Sequence, residues 1–493
     1  MTHLEALAKA EQHQHKMAKI AKKSYWKPKY HISAPANWIN DPNGFCYFKG
    51  EYHVFYQYHP YSSQWGPMHW GHVASKDLVN WKTKPIALAP TDEYDKDGCF
   101  SGSAIEKDDD LYIFYTGHVV LDKNTDDDDA QLQTQCVAIS KDGINFEKLE
   151  NNPIINIDSF PDDLNIRKEH FRDPKVWKYK DMYYKVVGAQ TNEKTGQVLI
   201  YKSKDLLNWD FVNVMAMSTT DENLGFMWEC PNFAEIGDHE VLILSPQGVE
   251  PEGNKFLNLH QSGYFIGQMD YDTGVFERET DFEMLDYGFD FYAPQIMQDE
   301  INHRCLMIGW LAMWESEMPE QEEGWAGMMS IPRVLEVKNN KVYSLPAPEL
   351  EKLRKTNVKY DVDLIQNCIL EGINGDCYEL NTTFDLTKAN GFNLKLRVSE
   401  NEETIISYDK NSKVFKLNRD KSGKAVTGER EVKVNLQDEK ISLQIFSDYS
   451  SLEIFINGGE YVISTRIYPT QEATGIVFEP NGEIKAKIDF YEI

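Results

Sequence analysis

No stretch of this chain approaches the roughly 18 consecutive apolar residues that a membrane-spanning helix needs, so no such helix is expected. Positive charge is scarce: 51 Lys and Arg stand against 79 Asp and Glu, a formal net charge of −28. A surface of that sign repels phosphate backbones and anionic lipid, which argues against nucleic-acid and membrane partners. Its plain meaning is solubility. Residues 1–29 contain no apolar core of the signal-peptide kind and read as a short polar helix or a frayed leader. Cysteines are few and dispersed. Cys46, Cys99, Cys136, Cys230, Cys305, Cys368 and Cys377 form no CxxC pair and no Cys/His cluster with zinc spacing. An odd number of scattered thiols fits reduced cysteines in a cytoplasmic protein.

What is present is strand. The chain of 493 residues is 41% hydrophobic and 12% aromatic, enough for two or three domains with a sizeable core. Short runs of Tyr, Phe, Val and Ile alternate with Gly, Asp and Asn turns. They repeat. Ser75-Lys76-Asp77-Leu78-Val79-Asn80-Trp81 returns as Ser140-Lys141-Asp142-Gly143-Ile144-Asn145-Phe146, then as Ser203-Lys204-Asp205-Leu206-Leu207-Asn208-Trp209, at steps of 65 and 63 residues. A second series runs in phase. Pro42, Pro174, Pro231 and Pro294 each open a strand-like run, and Ser101-Gly102-Ser103 fills the gap. Apolar strands follow at 52–58, 111–116, 182–187, 241–245 and 305–311. Five units of about four strands predict an all-β fold with a five-bladed β-propeller over 30–347. The rival is a large sandwich whose prolines are in phase by accident. In a propeller the first strand of each blade has a free edge on the central channel, which tolerates proline. After about 350 the repeat stops and strict period-two alternation takes over, as in Phe392-Asn393-Leu394-Lys395-Leu396-Arg397-Val398. With a hairpin turn at Asn457-Gly458, residues 359–493 read as an antiparallel β-sandwich, joined by a charged linker at 348–358.

The proline alignment brings chemistry together. Asp41, Asp173, Cys230 and Ala293 immediately precede the prolines, with Ser101 in the same role; one residue earlier stand Asn40, Phe100, Arg172, Glu229 and Tyr292. Equivalent propeller positions converge on the axis, so three acids from three blades are expected to share one funnel, with Arg172 as counter-charge. Retaining glycoside hydrolysis needs two carboxyl groups about 5 Å apart. Asp41, with Asn40, Asn43 and backbone N–H groups as donors, suits the ionised nucleophile. Glu229, in the apolar Phe226-Met227-Trp228-Glu229-Cys230-Pro231, suits the protonated acid. Asp173 beside Arg172 is expected to stay ionised and stabilise the transition state. Trp38, Gln57, Trp65, Phe100, Tyr292, Trp310 and Trp314 fall at or near the inner blade ends, as sugar platforms or as core; Trp70 and Trp81 read as core.

The motifs WINDPNG (38–44), CFSGS (99–103), FRDP (171–174) and WECP (228–231), with MHWGHVASKDLVNW (68–81), GWAGMMSIPR (324–333) and SLEIFINGGEYVISTRIYP (451–469), resemble glycoside hydrolase family 32, the invertases and fructan hydrolases. The likeness runs from 30 to 493. It implies a propeller followed by a sandwich, with Asp41 as nucleophile, Asp173 as transition-state stabiliser and Glu229 as acid/base. It also implies substrate contacts at Asn40, Gln57, Trp65, Phe100, Ser101, Arg172, Tyr292 and Trp310, and no metal or other cofactor. Two departures stand out. Arg333-Val334-Leu335 replaces a common Arg-Glu-Leu, and Met313-Trp314-Glu315-Ser316-Glu317-Met318-Pro319 is too acidic to welcome a sugar phosphate. The expected substrates are therefore sucrose and short fructooligosaccharides, with sucrose 6-phosphate as the alternative. Fructosyl transfer on the same site and a binding protein with a dead site are the rival functions. The sandwich could mediate a homo-oligomer. The acidic run Asp126 to Asp129 reads as a solvated loop before a calcium site, Cys230 as a core thiol shaping the acid's pocket before a reactive one, and His13, His15 and His53 show no ligand spacing.

Overall fold

The computed structural model describes residues 1–125 and 129–493, so the acidic run at 126–129 lies outside the described residues except for Asp129. A helix, α1 (His3–Ala21), precedes five sheets of four or five strands, antiparallel except for one short parallel pairing. Their inner strands are β1 (Asn37–Phe48), β2 (Gly98–Lys107), β3 (Phe171–Tyr179), β4 (Met227–Ile236) and β5 (Tyr292–Asp299). Neighbouring inner strands touch all the way round, and β5 contacts β1, which closes a five-bladed propeller. A short parallel pairing of Trp325–Ala326 with Asn37–Trp38 latches the last blade's connection onto the first.

The series of prolines has a more specific meaning than the start of a strand. Each proline sits inside its inner strand at a one-residue bulge. The pairing runs Ile39↔Tyr58 then Pro42↔Tyr56, Arg172↔Gly188 then Lys175↔Val186, Glu229↔Ser245 then Asn232↔Ile243, and Tyr292↔Trp310 then Gln295↔Ile308. In the second blade the shift falls between Phe100 and Gly102. A bulge leaves one residue out of the ladder, so a missing N–H costs nothing there, and it turns the extra side chain off the sheet plane. Asp173, Cys230 and Ala293 take φ of 67°, 46° and 48° to do it. Gly102 replaces proline because a Cβ there would lie 1.9 Å from the Phe114 carbonyl oxygen.

The Ser-Lys-Asp repeat is a turn after the third strand of blades one to three. Asp77 Oδ1 accepts from the N–H groups of Val79 and Asn80, and Asn80 Nδ2 returns to Asp77 Oδ2 at 2.9 Å. Asp142 with Asn145 and Asp205 with Asn208 repeat the pattern. These donors hold the three carboxyls below their usual range despite opposing desolvation, Asp77 at about 2.

The C-terminal sandwich is one nine-stranded sheet folded on itself. Two long strands, β6 (Tyr378–Val398) and β7 (Gly475–Glu492), run through both halves. The first part of β6 pairs with Lys440–Asp448 and its last part with Glu403–Asp409. Bulges between Asp385 and Gly391 bend it, and Gly391 is required there because a Cβ would meet the Tyr408 carbonyl oxygen at 2.0 Å. Leu380, Phe384, Leu394, Leu417 and Ile445 fill the fold with alternating inward side chains, in one apolar mass with Trp228 and Phe265 of blade four. No helix among the described residues is long and apolar enough to cross a membrane.

Buried charge fastens the sandwich to the propeller. His31, in the segment between α1 and β1, contacts Asp448 at 2.8 Å and Glu453 at 3.0 Å. Glu453 also accepts from Arg333 Nε at 3.2 Å, and Arg333 reaches Asp286 at 3.1 Å. Arg333 keeps two acidic partners, so the change to Arg333-Val334-Leu335 leaves its ion pairing in place. Burial works against charge on His31, but the two carboxylates outweigh it and push its pKa up to about 9. An imidazole of unfolded pKa about 6.5 then contributes stability that is complete below pH 6.5 and fades as pH rises towards 9, on the order of 3 kcal/mol. Chemical denaturation of native protein and His31→Gln across pH 6 to 9 should show the gap between the two shrinking over that window; a constant gap would mean that His31 is neutral in the fold.

Candidate active site

At one mouth of the propeller channel lies a cavity of about 570 Å³ lined by Asn40, Asp41, Gln57, Phe100, Ser101, Arg172, Asp173 and Glu229, within the range that takes a small ligand. The bulges account for the convergence. β1, β3 and β4 each turn a carboxyl to the axis at the point where its register slips.

Asp41 is buried and accepts from Ser101 Oγ at 2.7 Å and Asn40 Nδ2 at 3.1 Å. Asn43, expected as a further donor, instead donates to the Pro42 carbonyl and accepts from Gln57 Nε2 at 2.8 Å. Desolvation, and then the charge of Glu229, push Asp41 up to about 6 against the pull of its two side-chain donors. Asp173 accepts from the Cys230 N–H at 3.0 Å, while its own N–H donates to Thr116 Oγ1 at 3.0 Å. The thiol of Cys230 lies 3.7 Å from Asp41 Oδ2 and 3.6 Å from Asp173 Oδ2, so its weak S–H donor stands between the two acids. Burial and the neighbouring carboxylates raise this thiol well above its usual value, which makes it inert packing.

Arg172 does not serve Asp173. Its Nε donates to Glu229 at 2.9 Å, and its Nη groups reach Gln133 at 3.4 Å and Gln247 at 3.2 Å. Consecutive strand residues point to opposite sides, and the bulge at Asp173 sends the guanidinium across to blade four. Asp173 is consequently pushed up to about 7, by desolvation first and by Glu229 next, with Arg172 only partly opposing. Nor is Glu229 in an apolar setting: Tyr292 donates to its second oxygen at 2.5 Å. The apolar neighbours Met227 and Trp228 point into the core instead.

The rings divide into wall and support. Trp65, Phe100 and Trp314 line the cavity. Phe100 stacks on His118 at 4.0 Å. Trp38, Tyr292 and Trp310 stand behind the wall: Trp310 has no exposed surface and packs edge-on against Trp38 and Trp314, and Trp38 Nε1 holds Asn40 Oδ1 at 2.9 Å. Met68, His118, Gln131, Gln133, His170, Phe226, Gln247, Leu259, His260 and Glu315 also line the cavity, and none was among the substrate contacts expected from sequence. The same phase argument applied to the second strands would have found some of them, since Gln57, His118 and Gln247 all lie near the far ends of those strands. Among the described residues no group of three or more His, Cys, Asp or Glu side chains is arranged to hold a metal ion.

This arrangement coincides with a known one. Residues 31–346 match the glycosyl hydrolases family 32 N-terminal domain, and residues 349–492 match the family 32 C-terminal domain. The chain belongs to glycosyl hydrolase family 32. A sucrose-6-phosphate hydrolase of Zymomonas mobilis is 40% identical over 486 residues, covering 95% of this chain and 92% of its own. A raffinose invertase of Escherichia coli is 38% identical over 448 residues, with 91% and 90% covered. Among solved structures, the family 32 β-fructofuranosidase of Bombyx mori in complex with sucrose superposes with a TM-score of 0.84 at 37% identity, covering 98% of this chain and 97% of that one. The sucrose-6-phosphate hydrolase of Lactobacillus gasseri reaches 0.88 at 29%, covering 98% and 96%. This family 32 protein is thus a glycosidase with a propeller and a sandwich. Arg172 is its test residue for geometry. Lysine keeps the charge but cannot serve Glu229, Gln133 and Gln247 from one planar fork. Arg172→Lys should lower turnover at least about 100-fold, roughly 2.7 kcal/mol of barrier, with near-UV circular dichroism unchanged.

Proposed function

We propose that the protein is a retaining β-fructofuranosidase that releases fructose from sucrose and short fructooligosaccharides, with Asp41 as nucleophile, Glu229 as acid/base and Asp173 as transition-state stabiliser. The observation that carries this reading is the meeting of these three carboxyls, from three blades, in one cavity, with the Cys230 thiol between Asp41 and Asp173. In the first step an Asp41 carboxylate oxygen bonds to the anomeric carbon as the glycosidic bond breaks, and Glu229 gives its proton to the departing oxygen. In the second, Glu229 takes a proton from water, the water oxygen bonds to the anomeric carbon, and the bond to Asp41 breaks. Water is consumed, and fructose and the remaining sugar leave.

The electrostatics favour this division. Asp41 has its own neutral and thiol donors, which suit a carboxylate that must attack. Asp173 is pushed up to about 7 by desolvation and then by the charge of Glu229, the mark of acids packed closely out of solvent. Arg172 and Tyr292 orient Glu229 and can stabilise it once the proton has gone. Asn40, Gln57, Ser101 and Asp173 present planar or hydroxyl groups for the sugar, and Trp65 and Phe100 present flat apolar faces.

Charge supports an unphosphorylated substrate. Among the described residues, Asp41, Asp173, Glu229 and Glu315 line the cavity with no lysine and with one arginine, Arg172, which is already engaged. Burial lowers His118 to about 4 and lowers His260 as well, so neither adds charge at neutral pH. Sucrose 6-phosphate is the second reading, favoured by the names of the Zymomonas and Lactobacillus relatives. All seven cysteines are free thiols, which supports action in the cytoplasm.

Asp41→Ala should abolish turnover with the fold retained. Glu229→Gln should slow sucrose by several orders of magnitude but spare activated fructosides whose leaving groups need no proton; equal losses on both substrates would remove Glu229 as the acid. Values of kcat/KM for sucrose, sucrose 6-phosphate and kestose should favour the uncharged sugars, and a preference of more than about tenfold for the phosphate (1.4 kcal/mol) would reverse the substrate assignment.

A further inference from the structure

Two separate loops form part of the cavity rim. One, residues 60–67 in blade one, carries Trp65, whose surface is 48% exposed. The other, residues 311–324 after the second strand of blade five, carries Trp314 and Glu315. They are tied to each other. Ser63 Oγ donates to the Gln321 carbonyl at 2.9 Å, and Gln321 Nε2 donates to the Ser63 carbonyl at 3.1 Å, a reciprocal clasp between residues 258 apart in sequence. Below the clasp the Ser62 carbonyl accepts from the Trp38 N–H at 3.0 Å, so the first loop is also pinned to the strand that carries Asp41.

Helix α1 lies across the outside of both loops. A capping box of Thr2 and Glu5 starts it. Its inward stripe is Ala6, Ala10, Gln14, Met17 and Ala21, at steps of three and four. His13 Nδ1 sits 2.8 Å from the Pro60 carbonyl oxygen, its ring packs on Tyr61 at 5.5 Å, and Lys9 Nζ lies 5.6 Å from the Tyr61 ring. One turn on, Met17 and Ala21 pack with Trp325, directly after the second loop. The outer face of the helix keeps Leu4 and Ile20 exposed, so its contacts inward are what hold it.

We propose that α1 and the Ser63–Gln321 clasp form a strap that fixes the two rim loops as a single wall of the substrate cavity, with His13 and Gln321 as positioning residues acting through Trp65. The choice of sucrose as ligand rests on the reaction proposed above; the strap does not. A wall that is already ordered binds a sugar ring without having to freeze a loop at the moment of binding. Its loss falls on binding and leaves the chemical step at Asp41 and Glu229 intact, which separates KM from kcat.

A double-mutant cycle tests this. Gln321→Ala should raise KM for sucrose about five- to tenfold, the loss of the one hydrogen bond from Nε2 to the Ser63 carbonyl, with kcat within about twofold. Trp65→Ala should raise KM at least as much. The double variant should be no worse than Trp65→Ala alone, because the clasp acts through that ring. Amide hydrogen exchange, which needs no turnover, should quicken across 60–67 in Gln321→Ala and in His13→Ala while the blade strands keep their protection. Additive losses in the cycle, an equal fall in kcat, an unchanged KM, or exchange at 60–67 equal to that of native protein would each overturn the strap. Failure of the native protein to turn over sucrose would overturn the reaction and leave the exchange result standing.

Discussion

Three carboxyl groups and one guanidinium share one cavity, with Asp41, Asp173 and Arg172 buried, and much of this molecule can be understood as the means of keeping them there. Like charges at close quarters, stripped of solvent, repel strongly and raise one another's pKa. Asp41 at about 6 and Asp173 at about 7 record that pressure. It is relieved locally by Ser101, Asn40, the Cys230 backbone and thiol, and Arg172 on Glu229. Apart from Asn40, which precedes Asp41 in the chain, each partner stands on a different inner strand from the acid it serves. They come from four inner strands, so only a closed ring of blades supplies them.

Ring closure is therefore a functional requirement as well as a structural one. A five-bladed ring must not open between β5 and β1, where the chain's two ends of the propeller meet. The parallel latch of Trp325–Ala326 on Asn37–Trp38 seals that seam from within. Helix α1 covers it from outside, with Ala21, Ala36 and Trp325 in one apolar contact. The sandwich braces the same region with buried charge. His31 lies just before β1, Arg333 belongs to blade five, and both converge on Glu453. Removing one partner of such a set strands the others without solvent, which is why these groups stabilise the fold only as a complete network.

The same economy appears in the rings. Aromatic side chains are abundant, but few meet the cavity. Trp310 and Tyr292 occupy positions that the strand register makes equivalent to wall residues in other blades, yet they serve from behind, one packing on Trp38 and Trp314, the other donating to Glu229. Trp65, by contrast, is half exposed at the rim and owes its position to hydrogen bonds made by the hydroxyl and carbonyl of Ser63.

What the sequence determined alone was whatever repeats. Pro42, Pro174, Pro231 and Pro294, in phase with the Ser-Lys-Asp turns, gave the blade count and put Asp41, Asp173 and Glu229 at equivalent points, because a propeller converts sequence period directly into angle about an axis. Strict alternation after 350 likewise disclosed the sandwich, since period two is a local property of a strand with one buried face. Tertiary structure decided what depends on direction rather than period. That the prolines lie at bulges, that Arg172 turns to Glu229 and leaves Asp173 partly unneutralised, and that Asn43 turns away from Asp41 all follow from register slips of one residue. A slip of that kind reverses which side a residue faces and leaves no mark in composition or spacing. Ser63 and Gln321, 258 residues apart, had no signal at all, because a clasp between two loops exists only once the ring has closed.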